Sequence, residues 1–269
     1  MDYRFKLILV VAALTGITFF SSCIKEYNYV KLNPGAEVKG CRITTLINGA
    51  DTFYVHYNTA GDPTELIAAP GEVPNGWQGD HHFRYDKYHR LTDYLWGDPA
   101  LTNYRLIWHR YTYHGASIVT DSLFAYINNG GGPNPPLENF DALTIDSLDA
   151  DGRIVKITEP GNPPSIGHFT YNAKGDLDNP LAIYDNKLNI YHTSRVWMFT
   201  ANDYSVNNRL NDSPYPLQIT RYNDEGLPLN FQLVTNPAGF GSSELFDGII
   251  YQKLQVVYDC NQAYAGASY

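Results

Sequence analysis

No basic cluster offsets the acidic balance of this 269-residue chain, in which 19 Lys and Arg stand against 28 Asp and Glu for a formal net charge of −9. An acidic, tyrosine-rich chain has little to offer a phosphate backbone, so nucleic acid is excluded as a partner. Long apolar runs are equally scarce. The longest, Leu7 to Phe20, falls short of the roughly 20 residues that a membrane-spanning helix needs. The short motifs of common hydrolases are also missing: no HExxH helix is present, and "GFGSSELF" around Ser242 has the wrong glycine spacing for a nucleophile elbow. "NNGGGPNPPLEN" is rich in glycine but lacks the Lys and Ser or Thr of a phosphate-binding loop, and reads as a surface connection.

Cysteine occurs only three times. Cys23 follows Arg4, Lys6, the apolar run, Ser21 and Ser22, an order that resembles a bacterial lipoprotein signal in which the cysteine becomes the acylated first residue. The organisation expected is a signal peptide over 1–22, a lipidated tether over 23–40, one antiparallel β domain over 41–260 and a C-terminal tail over 261–269. Removing Asp2, Arg4 and Lys6 with the signal moves the formal net charge from −9 to about −10. The expected location is a lipid anchor in the outer membrane, facing the periplasm or the cell surface. Such a compartment permits a Cys41–Cys260 disulfide, with two buried free thiols as the alternative. Strand parity places Cys41 with Ile43 and Ile47, and Cys260 with Leu254, Val256 and Tyr258.

What the chain does have is a repeated phrase. "YNTAGDP" from Tyr57, "YDKYHRL" from Tyr85, "LDADGRI" from Leu148, "YNAKGDL" from Tyr171 and "YNDEGLP" from Tyr222 share an apolar or aromatic residue, then Asp or Asn, two variable residues and a glycine or its substitute His89. Asp or Asn opens a tight turn by bonding its own backbone, and the glycine takes the left-handed conformation that closes a type I turn with a bulge. The flanks alternate between apolar and polar residues, which is hairpin grammar. Strands are expected near 41–47, 52–58, 80–86, 91–96, 103–113, 117–127, 140–148, 153–159, 166–172, 215–223, 227–235 and 249–259. The fold class is all-β: an antiparallel meander of about ten to twelve strands forming a curved sheet or a soluble barrel-like structure. A short helical or irregular insertion near 188–205 would plug one opening.

"YDNK" at Tyr184–Lys187, "WMFTANDYSVNN" at Trp197–Asn208, "RYNDEGLP" at Arg221–Pro228 and "VVYDC" at Val256–Cys260 resemble a family of Bacteroidetes-type lipoproteins of unknown function with a porin-like fold. The resemblance covers most of the chain beyond the signal. It implies a twisted or barrel-like antiparallel sheet, no established activity and no catalytic residues. The phrase also looks like the tyrosine-aspartate repeats of Rhs shell proteins, but starts at 57, 85, 148, 171 and 222 are too irregular for a closed shell.

Metal and cofactor sites are not expected. His81 and His82 fall on opposite faces of a strand, and reading them as an exposed pair beside a loop is favoured over a metal site. Asp149 and Asp151 begin like a calcium loop, but Arg153 takes the next ligand position and turn chemistry accounts for both carboxylates. The positive feature is aromatic, with 22 Tyr, 12 Phe and 4 Trp. Tyr and Trp stack on sugar rings or peptides while their polar tips bond outward, although tyrosine also suits a half-buried pleated surface. In "NYRLIWHRYTY", Tyr104, Trp108 and Arg110 share one parity, and His109, Tyr111 and Tyr113 the other; Tyr104, Trp108, Arg110, Tyr111 and Tyr113 are the candidate ligand platform. The expected role is a lipid-anchored binding or interaction module for a glycan or an envelope protein. A structural envelope component is the first alternative, and a hydrolase with carboxylates distant in sequence the second.

Overall fold

The computed structural model describes residues 21–38, 40–71, 80–97, 105–127, 139–211, 217–233, 243–245, 249–251 and 253–260. A helix, α1 (Ser21–Leu32), precedes ten strands in succession: β1 (Arg42–Asn48), β2 (Asp51–Tyr57), β3 (Pro63–Ala68), β4 (His81–Tyr85), β5 (Leu91–Trp96), β6 (Arg105–His114), β7 (Ile118–Ile127), β8 (Asn139–Leu148), β9 (Ile154–Glu159) and β10 (Ser165–His168). Then come β11 (Tyr184–Leu188), a 3-10 turn (Ile190–Thr193), α2 (Arg195–Thr200) and β12 (Asn207–Arg209). The last strands are β13 (Leu217–Tyr222), β14 (Pro228–Leu233), β15 (Ser243–Leu245), β16 (Ile249–Tyr251) and β17 (Lys253–Asp259).

Thirteen strands form one antiparallel sheet in the order β10 to β1 and then β17, β14 and β13, so β10 and β13 are its edges and the sheet does not close into a barrel. β11 pairs with β12, and β15 with β16, as separate two-stranded sheets. β3 is the strand of the main sheet that was not expected. Its proline sits at the first position, where a strand tolerates a missing N–H. From β1 to β10 each strand reverses the one before it, so connections alternate between two ends, and antiparallel pairing carries the same alternation through β17, β14 and β13. All five phrases lie at one end, the turn end, while the strand ends flanking 72–79, 98–104 and 128–138 lie at the other.

The five phrases make the same turn. The Asp or Asn N–H donates to the carbonyl four residues on, as in Asn58 to Asp62, Asp86 to Arg90, Asp149 to Arg153, Asn172 to Asp176 and Asn223 to Leu227, and the N–H three residues on returns to the Asp or Asn carbonyl. The Asx side chain then accepts backbone N–H groups inside the loop, as Asp149 does from Asp151 and Arg153. His89 takes the glycine position at φ 60° and bonds Asp62 through Nδ1 at 2.8 Å. A register shift marks four of the phrases where they meet their strands, between His56 and Tyr57, Arg84 and Tyr85, Ser147 and Leu148, and Arg221 and Tyr222.

Tyrosines staple one hairpin to the next. Tyr85 Oη donates to Pro63 O, Tyr171 Oη to Ile154 O at 3.2 Å and Tyr258 Oη to Pro228 O at 2.7 Å. Each acceptor is the carbonyl just after a phrase turn, so the aromatic body packs at the strand end while its hydroxyl bonds the backbone beside the turn.

One face of the sheet carries the main core. Ile43, Leu46, Phe53, Leu66, Phe83, Tyr94, Val119, Phe231 and Leu254 are buried with Ile190, Val196 and Trp197 of the insertion, and Trp197 meets Phe83 edge-on at 5.3 Å. Ser194 caps α2 by accepting the Val196 N–H, and the insertion lies on the sheet as a plug. A smaller core surrounds the Cys41–Cys260 disulfide, with Val30, Val38, Leu188, Val206 and Leu227. Leu46, not Ile47, shares the buried face with Ile43, because a register shift between Ile43 and Thr45 changes the alternation. His81 is buried at 1% exposure instead of lying on the surface with His82, because its ring stacks on Tyr94 and Trp96.

Candidate functional site

The face of the sheet turned away from the plug carries a row of side chains in register. Glu65 pairs with His82, His82 with Leu95, Leu95 with Trp108, Trp108 with Phe124 and Phe124 with Phe140, crossing six strands from β3 to β8. The centroids of Trp108 and Phe124 are 5.2 Å apart and those of Phe124 and Phe140 are 5.9 Å apart. Phe140 is 59% exposed, and Trp108 and Phe124 are half-buried. A charged row runs alongside: Arg84 pairs with Asp93, and Asp93 with Arg110. Trp108 Nε1 donates to Asp93 Oδ1 at 2.9 Å, and the Arg110 guanidinium lies 4.2 Å from the Trp108 ring centroid and 5.3 Å from that of Phe124. His82 and Glu65 approach at 3.4 Å at the far end of the row. Aromatic faces beside fixed donors and acceptors suit a ligand with both apolar faces and hydroxyls.

The expected platform divides between the two faces. Trp108 and Arg110 belong to the open row. Tyr111 is buried on the opposite face with Phe199 edge-on at 5.0 Å, and Tyr113 is half-buried beneath Arg90, whose guanidinium is 4.3 Å from its centroid. Burial raises the Tyr113 hydroxyl pKa, with Arg90 opposing the shift. These two tyrosines are core, because alternation along β6 sends them toward the plug. Tyr104 lies outside the described residues. Phe124 and Phe140 were missed. Simple alternation along β8 puts Phe140 on the same face as buried Asp146, and the shift between Leu123 and Phe124 in the β7–β8 register turns it outward.

The plug-side face holds a polar cluster. His81 Nδ1 and the Tyr94 hydroxyl are 2.8 Å apart, as are His109 Nδ1 and Asp121 Oδ2. Burial, with a smaller contribution from His82, holds the His81 pKa down to about 3, so this ring is neutral. Asp146 is 5% exposed, and its Oδ1 has no hydrogen-bond partner among the described residues. Burial and then the Asp121 carboxylate push its pKa up to about 6, with His109 opposing. Within this cluster His81 and Asp146 are buried, and His109 and Asp121 are half-buried.

Asn207 and Asn208, from the "NDYSVNN" segment, serve the fold. Asp176 accepts the Asn207 backbone and side-chain N–H groups at 2.9 Å, Tyr27 donates to Asn207 Oδ1 at 2.9 Å, and Asp185 accepts from Asn208 and from Tyr222 Oη. Among the described residues, the one close trio of metal-type ligands is Cys41, Glu225 and Cys260; its two cysteines are joined as a disulfide and offer no thiolates. No helix among the described residues is long and apolar enough to cross a membrane. Comparison of the chain with protein-family models, with curated proteins and with solved structures finds no match in any of the three.

Proposed function

We propose that this protein is a lipid-anchored binding module of the bacterial cell envelope, held by acylated Cys23, and that its ligand is a glycan lying across the Leu95, Trp108, Phe124 and Phe140 row. The observation that carries the binding reading is the row itself: three aromatic side chains in cross-strand register, left half-open on the face without the plug, beside Arg110 and Asp93. The signal-like N-terminus, with Cys23 after two serines, supports the anchor. The resemblance to Bacteroidetes-type lipoproteins agrees with the anchor.

A screen of the purified chain against envelope glycans and envelope proteins tests the ligand class. Glycan binding that falls about tenfold in Trp108→Ala, a loss of about 1.4 kcal/mol, is the expected result. A denaturant curve for the same variant separates lost stacking from lost folding. Binding only to an envelope protein would replace the glycan, and normal glycan binding by Trp108→Ala would remove the row from the site.

A further inference from the structure

We infer that the chain carries its own orientation on the membrane: the turn end faces the bilayer that holds Cys23, and the aromatic row is presented away from it. This rests on the anchoring reading proposed above. It also requires that the segment after Cys23 be fixed to the domain, which is a property of the fold.

Within the lipidated tether expected over 23–40, the stretch from Tyr27 to Val38 is docked on the domain. Val30 and Val38 are buried at 0% and 3% exposure in the small core around the disulfide. Val38 N–H donates to His192 O at 2.7 Å, His192 Nδ1 bonds Ala36 O at 2.9 Å and the Arg195 N–H donates to Glu37 at 2.6 Å. A Cβ on Gly35 would stand 2.6 Å from Asp151 O, so the segment touches a phrase turn directly. The disulfide, the 149–153 turn and Leu227 all belong to the turn end, and the docked segment therefore closes that end.

Chain length then sets the standoff. Four peptide steps separate Cys23 from Tyr27, about 6 Å as a helix and about 14 Å fully extended. A domain on so short a leash cannot turn its other end to the lipid. Exposed Lys31 and Leu32, the latter 81% exposed, end α1 on the docked segment, nine residues and about 14 Å of helix beyond Cys23. Trp108 lies six residues along β6 from His114 at the turn end, about 20 Å at the usual strand rise. The row therefore meets ligand clear of the bilayer.

The test uses the full acylated chain in phosphatidylethanolamine–phosphatidylglycerol vesicles carrying a headgroup nitroxide quencher. Cys41 and Cys260 are bonded to each other, so one fluorophore can be placed at Leu32→Cys near the turn end or at Ala50→Cys in the β1–β2 turn at the opposite end. Flotation with the vesicles reads the anchor, and quenching reads the orientation. The expected result is flotation of both, with quenching several-fold stronger at Leu32→Cys. A flexible Gly-Ser insert of about 15 residues after Lys25, reaching about 20 Å, should abolish the contrast while flotation persists. Equal quenching in the floated parent chain overturns the orientation alone, whereas failure to float overturns the anchor and the orientation with it. In the unacylated Cys23→Ser protein, slow amide exchange at Val38 is expected from docking, and fast exchange there overturns the docked segment whatever the anchor does.

Discussion

Tyr258 does what Tyr85 and Tyr171 also do: its ring packs at a strand end and its hydroxyl reaches a carbonyl just after a phrase turn, here Pro228 O at 2.7 Å. Tyr258→Phe keeps the packing and leaves that carbonyl without its donor, and should cost about 1–2 kcal/mol in a urea titration. Asp146 adds a pH dependence whose sign follows from its raised pKa. Between the ordinary aspartate value near 4 and its native value of about 6, the folded state keeps a proton that the unfolded chain has released. Its contribution to stability is therefore present below about pH 4 and lost as pH rises through about 6. Asp146→Asn should gain on the parent across that window, with the larger difference in urea midpoints at pH 7.5 than at 4.5. His81 acts in the opposite sense, its native value of about 3 lying below the ordinary one, but it is common to both proteins and cancels in the difference.

At the scale of elements, the hairpin phrases were legible because their chemistry is local: Asp or Asn opens the turn, and a residue at positive φ closes it within five positions. The insertion near 188–205 was legible from its lack of turn glycine, and its 3-10 turn and α2 lie within that range. Bulges were not legible. One between Ile43 and Thr45 exchanged Leu46 for Ile47 in the core, and another in β8 carried Phe140 to the outer face; neither leaves a mark in the alternation of a single strand. Nor could "PTELIA", set between prolines and charges, declare itself as β3 without its neighbours. Trp197 tests the plug as an element. Buried to 1% and set edge-on to Phe83, it should cost about 3–5 kcal/mol when changed to alanine, read by denaturation.

Across the whole molecule, the sheet has two edges unpaired among the described residues, and its continuity from β1 to β17 joins the first strand of the domain to the last. The Cys41–Cys260 disulfide fastens that junction where the small core and the docked N-terminal segment meet. Reduction should lower stability by about 2–4 kcal/mol by releasing the unfolded chain, seen as a lower Tm in reductant. The candidate site belongs to this same scale. Trp108 could be singled out within "NYRLIWHRYTY", but a row spanning six strands exists only once their registers are fixed. Its most exposed member gives the cleanest test, because Phe140 stands 59% open to solvent and its loss should leave folding within about 0.5 kcal/mol. The deciding measurement is binding of the parent and Phe140→Ala, side by side, to one array of bacterial envelope glycans. At least one glycan should be held by the parent and bound about tenfold more weakly by the variant; no glycan bound, or equal binding by both proteins, would remove the row as a glycan site.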